Sequence, residues 1–244
     1  MTKIFAHRGA SAYAPENTME AFELAAKQGA DGIELDVHVT KDGEVVVTHD
    51  EKIDRVSNGS GFIKDMTLRE LKRLSFHNHM ESYVGAGIPT LREVLEYVST
   101  TNMDVNIELK TGIYWYPQIE EKTAFIVQET GMHDRVIYSS FNHHSIAKIK
   151  EIDSTAETAW LFSDVILNVE QYAKANGVEG LHPAVYHMDM SDFMKRWNAS
   201  GEKVRVWTVN NEKDMKNFIQ NDLEAVITNY PDVALRVRRE VTGC

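Results

Sequence analysis

The 244-residue chain has a single cysteine, and it is the last residue, Cys244. An internal disulfide and a cysteine-ligated zinc site are therefore excluded, and the composition suits a reducing cytosol. Long apolar runs are missing too, since nothing approaches the roughly 18 residues a membrane-spanning helix needs. Met1-Thr2-Lys3 leads straight into Ile4-Phe5-Ala6, without the charged and apolar regions of a secretory signal. A soluble, cytoplasmic protein is expected. Cations are in short supply, 26 Lys and Arg against 37 Asp and Glu, for a net charge of −11. Duplex nucleic acid needs clustered cations and is excluded as a partner. A small anionic substrate is not, because a bound cation and one or two basic side chains can reverse the local field.

What is present is regular alternation. Apolar β-branched runs centred on residues 4–6, 32–39, 105–109, 136–139, 158–161, 178–181, 204–209 and 225–228 are separated by amphipathic stretches. That is the pattern of a parallel sheet with crossover helices. About eight strands in a chain of this length predict one α/β domain, residues 1–244, folded as a (β/α)8 TIM barrel. Residues 44–48 read as a hairpin extension of the second strand. Helices are predicted over residues 18–27, 90–98, 117–129, 143–152, 190–198 and 211–221. Thr90 with Glu93, and Thr67 with Glu70, have the spacing of capping boxes. Residues 51–89 break the short-loop rule, and long loops in compact domains are usually functional. They are expected to form a small insertion over the barrel mouth.

Chemistry-bearing residues cluster at predicted strand ends: His7-Arg8-Gly9, Glu34-Leu35-Asp36 and His49-Asp50. Strand parity puts Glu34 and Asp36 on one face, with Ile33, Leu35 and Val37 on the other. The apolar set belongs against helices, leaving two carboxylates inside the barrel at its catalytic end. Such a pair calls for a cation. Parity along residues 104–110 adds Asn106, Glu108 and Lys110 to one face, so Glu108 is a third ligand. Carboxylates without cysteine or paired histidines favour Mg2+ or Ca2+ over zinc. Two histidines, a cation site and an arginine together point to phosphoryl transfer.

On the stretches AHRGASAYAPENTMEAF, GADGIELDVHVTKDGEVVVTHD, NIELK and VRVWTVN, and on Thr228-Asn229-Tyr230-Pro231-Asp232, the chain resembles the glycerophosphodiester phosphodiesterases. The resemblance runs nearly end to end. It implies that His7 and His49 form the acid–base pair, that Glu34, Asp36 and Glu108 hold the metal, and that Arg8 and Lys110 hold the phosphate. Trp207 would wall the glycerol carbons. The implied reaction is metal-dependent hydrolysis of a glycerophosphodiester to sn-glycerol 3-phosphate and an alcohol. Its rivals are a phospholipase D-like lyase on lysophospholipids that releases a cyclic phosphate, and a binding module without catalysis. The head group, the choice of metal, the division of labour between the histidines and the oligomeric state stay open. Where family members more often carry threonines after the insertion's arginine, this chain reads Arg55-Val56-Ser57-Asn58-Gly59.

The other histidines are read blandly. His38, His133, His143, His144 and His187 are expected to be structural, and His77-Asn78-His79 to be exposed loop. His182 ends the sixth strand and is a candidate for the mouth. Asn17, between Pro15 and a helix, is read as a cap-and-turn residue. Tyr114-Trp115-Tyr116 is either packing or a substrate wall.

Overall fold

The computed structural model describes residues 1–243, so Cys244 lies outside the described residues. Among them, eight parallel strands close on themselves. In chain order these are β1 (Lys3–His7), β2 (Gly32–Val39), β4 (Asp104–Leu109), β5 (Val136–Ser140), β6 (Glu157–Phe162), β7 (Gly180–Pro183), β8 (Lys203–Val206) and β9 (Ala225–Thr228). β1 pairs with both β9 and β2, which seals the barrel. The extra strand β3 (Val45–Val47) runs antiparallel to the upper end of β2, as the hairpin extension predicts.

Helices follow the strands: α1 (Met19–Gln28), α2 (Leu68–Leu71), α3 (Leu91–Ser99), α4 (Ile119–Glu129), α5 (His143–Ile152), α6 (Val169–Ala175), α7 (Phe193–Ala199), α8 (Glu212–Gln220) and α9 (Pro231–Thr242). None is long and apolar enough to cross a membrane. The outward β2 residues Ile33, Leu35 and Val37 are fully buried in one cluster with Phe22 of α1 and Leu91, Val94 and Leu95 of α3. Each such side chain contributes about 1.5–3 kcal/mol on burial, so strand and helix order enforce each other. Inside the barrel a second cluster, Phe5, Ile137, Ala159, Ala225 and Ile227, plugs the lumen. The interior is a packed floor, and the polar chemistry sits above it.

Both capping boxes form, at Thr67–Glu70 and Thr90–Glu93. Residues 51–89 bury Ile53, Val56, Ile63, Leu71, Phe76 and Ile88 in one apolar cluster with Val46 of β3. That cluster rests on β3, so the excursion is anchored at the top of the barrel. Beyond the six helices predicted from periodicity and the short α2 signalled by its capping box, two more are present, α6 and α9. α6 is only seven residues long. α9 starts on the Pro231 signal. β7 starts two residues later than expected, and β8 stops at Val206, where the expected run continues to residue 209.

Candidate active site

The parallel register sets Asp36 beside Glu108, Glu34 beside Asn106 and His7 beside Glu34. Registered neighbours on adjacent strands share a face about 4.8 Å apart, so the carboxylates must converge. Glu34, Asp36 and Glu108 are buried, and each offers an oxygen within 4.8 Å of the others. Burial, reinforced by Asp36, pushes Glu34 well above the usual carboxylate range. Burial also raises Glu108, with Asp36 adding to it and Lys110 opposing. Burial works against the charge on Asp36 as well, yet the Arg8 and Lys110 cations outweigh it and hold Asp36 below its ordinary value. The ion pairs match: Arg8 Nε lies 3.4 Å from Asp36 Oδ2, and Lys110 Nζ lies 2.8 Å from Glu108 and 3.7 Å from Asp36.

Three carboxylates against two cations leave the cluster short of positive charge. Asp36 Oδ1 is buried with no hydrogen-bond partner. An all-oxygen donor set with an orphaned anionic oxygen fits a hard divalent cation. The residues present therefore suit the metal expected from the sequence.

Arg8 is placed by its backbone. It sits at φ 57°, followed by Gly9 at φ 81°, where a Cβ would come 2.7 Å from the backbone of Ala21. Only glycine tolerates that turn. The turn aims the Arg8 amide at Glu34, at 2.9 Å from its carbonyl and 3.1 Å from its carboxylate. Glu16 holds the guanidinium at 2.9 Å, and the same carboxylate accepts from Arg55 of the excursion at 2.8 and 2.9 Å. Arg55 also donates to Asp50 at 2.7 Å. An Arg8–Glu16–Arg55–Asp50 chain thus ties the excursion to the barrel mouth.

Both histidines face this cluster with the same tautomer. His7 Nδ1 donates to Asn229 Oδ1 at 2.6 Å, leaving Nε2 directed at Glu34, 3.9 Å away. Burial, with the Arg8 charge second, lowers His7 to about 4. His49 Nδ1 donates to Asp50 Oδ1 at 2.6 Å, which likewise frees Nε2. The His49 hydrogen bond, and then Arg55, hold Asp50 well below the usual carboxylate range. His38 props the His49 backbone: its Nε2 meets the His49 carbonyl at 3.0 Å and its Nδ1 the Tyr116 hydroxyl at 2.8 Å.

A cavity of about 230 Å³ joins these groups. His7, Arg8, Glu34, His49 and Glu108 line it on one side, and Phe141, Leu161, Trp207 and Ile227 on the other. Trp207 is fixed by its indole N–H on the His182 carbonyl at 2.6 Å and by edge contact with Phe141. Lys110 is not among the lining residues and reaches the site through Glu108 and Asp36.

Some readings shift. Thr18, not Asn17, caps α1, and the buried Asn17 amide instead donates to Asp36 at 2.9 Å. Asn106 lines the cavity with both amide atoms unpaired, as its parity with Glu108 already signalled. Asn229, Glu16 and Arg55 lie outside the sequence reading: Asn229 meets His7 and Arg55 meets Glu16 only through the tertiary fold, and Glu16 reaches Arg8 around an irregular turn with no periodic signature. His182 is buried beside Arg205, below the site. The aromatic run divides, with Tyr116 buried and Trp115 60 % exposed. The His77 side chain pairs with Ser75, within its own excursion.

The profile of the Glycerophosphoryl diester phosphodiesterase family matches residues 7–233. A glycerophosphodiester phosphodiesterase of Bacillus altitudinis is 43 % identical over 99 % of this chain and all of its own length. One from Caldanaerobacter subterraneus is 39 % identical over 98 % of both chains. The structure of an Oleispira antarctica phosphodiesterase, solved with the product sn-glycerol 3-phosphate, superposes with a TM-score of 0.91 at 28 % identity, covering 97 % of this chain and 96 % of that one. With barrel, site and full-length likeness in agreement, this chain belongs to the glycerophosphoryl diester phosphodiesterase family and is an enzyme of that phosphodiesterase activity.

Proposed function

We propose that the chain hydrolyses glycerophosphodiesters to sn-glycerol 3-phosphate and a free alcohol, with Mg2+ or Ca2+ held by Glu34, Asp36 and Glu108. The observation that carries this reading is the convergence of both histidines and the acidic triad on one small cavity. A divalent cation bound there would neutralise charge growing on the phosphoryl oxygens. Arg8 and Lys110 add fixed positive charge beside it and orient the carboxylates.

The two imidazoles differ in their supports. His7 rests on a neutral amide, and His49 on a carboxylate, which stabilises the imidazolium form. His7 is therefore assigned as the base that takes the nucleophile's proton onto its free Nε2, and His49 as the acid whose imidazolium protonates the leaving alkoxide from Nε2. Trp207 and Phe141 give the glycerol carbons an apolar wall and keep water from that side of the cavity. The location in this reading is cytoplasmic, in keeping with a composition that has one cysteine.

The test is single substitution. His7→Ala, His49→Ala and Glu34→Ala should each fold, by circular dichroism, and lose glycerophosphodiester turnover by several orders of magnitude. Near-normal turnover in any of the three sinks the assignment. Accumulation of a free cyclic phosphate in a phosphorus NMR time course would replace hydrolysis with the lyase reaction.

A further inference from the structure

The exposed apolar side chains of this barrel are distributed unevenly. Among the described residues none of the large ones lies in a helix-to-strand loop at the bottom of the barrel, while most lie in the loops that follow the strands. Those after β4, β5, β6 and β7 supply Ile113, Trp115, Phe141, Val165, Leu167 and Tyr186, between 41 % and 86 % exposed. These four strands are consecutive around the barrel, so their loops form one arc of the rim. The Tyr186 hydroxyl donates to the Ser163 carbonyl, which ties two of the loops together. The opposite rim, after β1 and β3, carries the charged Arg8, Glu16, Asp50 and Arg55, with Tyr13 and Val84 the exposed apolar side chains of those loops.

Large exposed apolar patches mark binding surfaces. This one is continuous with the candidate active site, because Phe141 both lines the cavity and is 41 % exposed on the arc. The mouth thus has an ion-paired side after β1 and β3 and a denser apolar arc after β4 to β7. A phosphodiester whose glycerol phosphate fills the small cavity must send its other substituent out through that mouth. We propose that the arc is a subsite for an apolar chain on the alcohol half of the diester, so that the enzyme takes amphiphilic glycerophosphodiesters. This rests on the function proposed above. An anionic lipid surface is a poor alternative occupant for a chain of net charge −11.

The test is a series of sn-glycero-3-phosphoalkanols, from ethyl through butyl and octyl to dodecyl, each below its micelle concentration. kcat/KM should rise with chain length, by up to about fourfold per methylene where the chain is fully covered. Trp115→Ser and Leu167→Ser, both on exposed loops, should flatten that slope while leaving ethyl ester turnover unchanged. Calorimetric binding of the same series to His49→Ala should show the slope in Kd, so the arc is judged independently of turnover. A flat series, or a slope that survives both serine variants, overturns the proposal. So does acceleration confined to a substrate acylated on the glycerol, which would put the chain on the other half of the diester. Absence of turnover for every ester in wild-type enzyme refutes the catalytic reading alone, with the binding slope still deciding the arc.

Discussion

Asp50→Asn probes the support of His49 with almost no change of shape. In the native arrangement one carboxylate oxygen accepts from His49 Nδ1 at 2.6 Å and the other from Arg55 Nε at 2.7 Å. Asparagine has only one acceptor oxygen. If it keeps Arg55, its NH2 group faces His49 and forces the ring to accept at Nδ1, which moves the proton to Nε2. Nε2 then carries a proton, but with Nδ1 held as an acceptor the ring cannot become the imidazolium that acts as the acid, and the anion that stabilised that cationic form is gone. A charge-assisted hydrogen bond is worth about 1.5–3 kcal/mol. That corresponds to a kcat loss of roughly ten- to 150-fold. The substrate touches neither Asp50 nor Arg55 in the proposed mechanism, so KM should change little. Steady-state kinetics with glycerophosphocholine at saturating Mg2+ reads both parameters. A kcat within twofold of wild type would refute the orienting role of Asp50, and a loss confined to KM would refute its route through His49.

Other outcomes follow from neighbouring contacts. Asn17→Ala removes the amide that orients Asp36 at 2.9 Å and should weaken divalent-cation binding by about 10–100-fold, read by calorimetry. His49→Ala should regain much of its activity on a glycerophosphodiester with a p-nitrophenol leaving group, which departs without a proton, whereas His7→Ala should not. Burial lowers His38 from 6.5 to about 4. Between those pH values the unfolded chain binds a proton that the native state refuses, so stability falls as pH drops through the window and is flat above it. His38→Gln should make urea-unfolding stability less pH-dependent there by roughly 3 kcal/mol, and an unchanged pH slope would contradict the burial argument.

The fold was legible because a parallel barrel repeats one local pattern. Each strand's outward apolar face and each helix's inward stripe are periodic, and Thr67 and Thr90 announce their helices within four residues. The convergence of the acidic triad was legible for the same reason, since strand parity fixes which side Glu34, Asp36 and Glu108 take. What escaped was tertiary. Asn17 looks like a cap because Pro15 precedes it, but Thr18 takes that role, accepting from Ala21, and leaves Asn17 free for a carboxylate on the next strand. The first residue of β7 has to be Gly180, where a Cβ would meet Ala159 at 2.7 Å and Arg205 at 3.0 Å. No local window contains those neighbours. Arg55 sits in an irregular segment whose path is set by its own apolar cluster, so its reach to Glu16 and Asp50 has no periodic signature.

The central claim is that the two histidines act only with a cation held by Glu34, Asp36 and Glu108. The most direct measurement titrates Mg2+ or Ca2+ into chelator-stripped enzyme while phosphorus NMR follows glycerophosphocholine. The account predicts no turnover before cation is added, then sn-glycerol 3-phosphate as the phosphorus product at a rate that saturates with site occupancy. Full turnover in excess chelator, or a cation response that survives in Glu34→Ala, would contradict it.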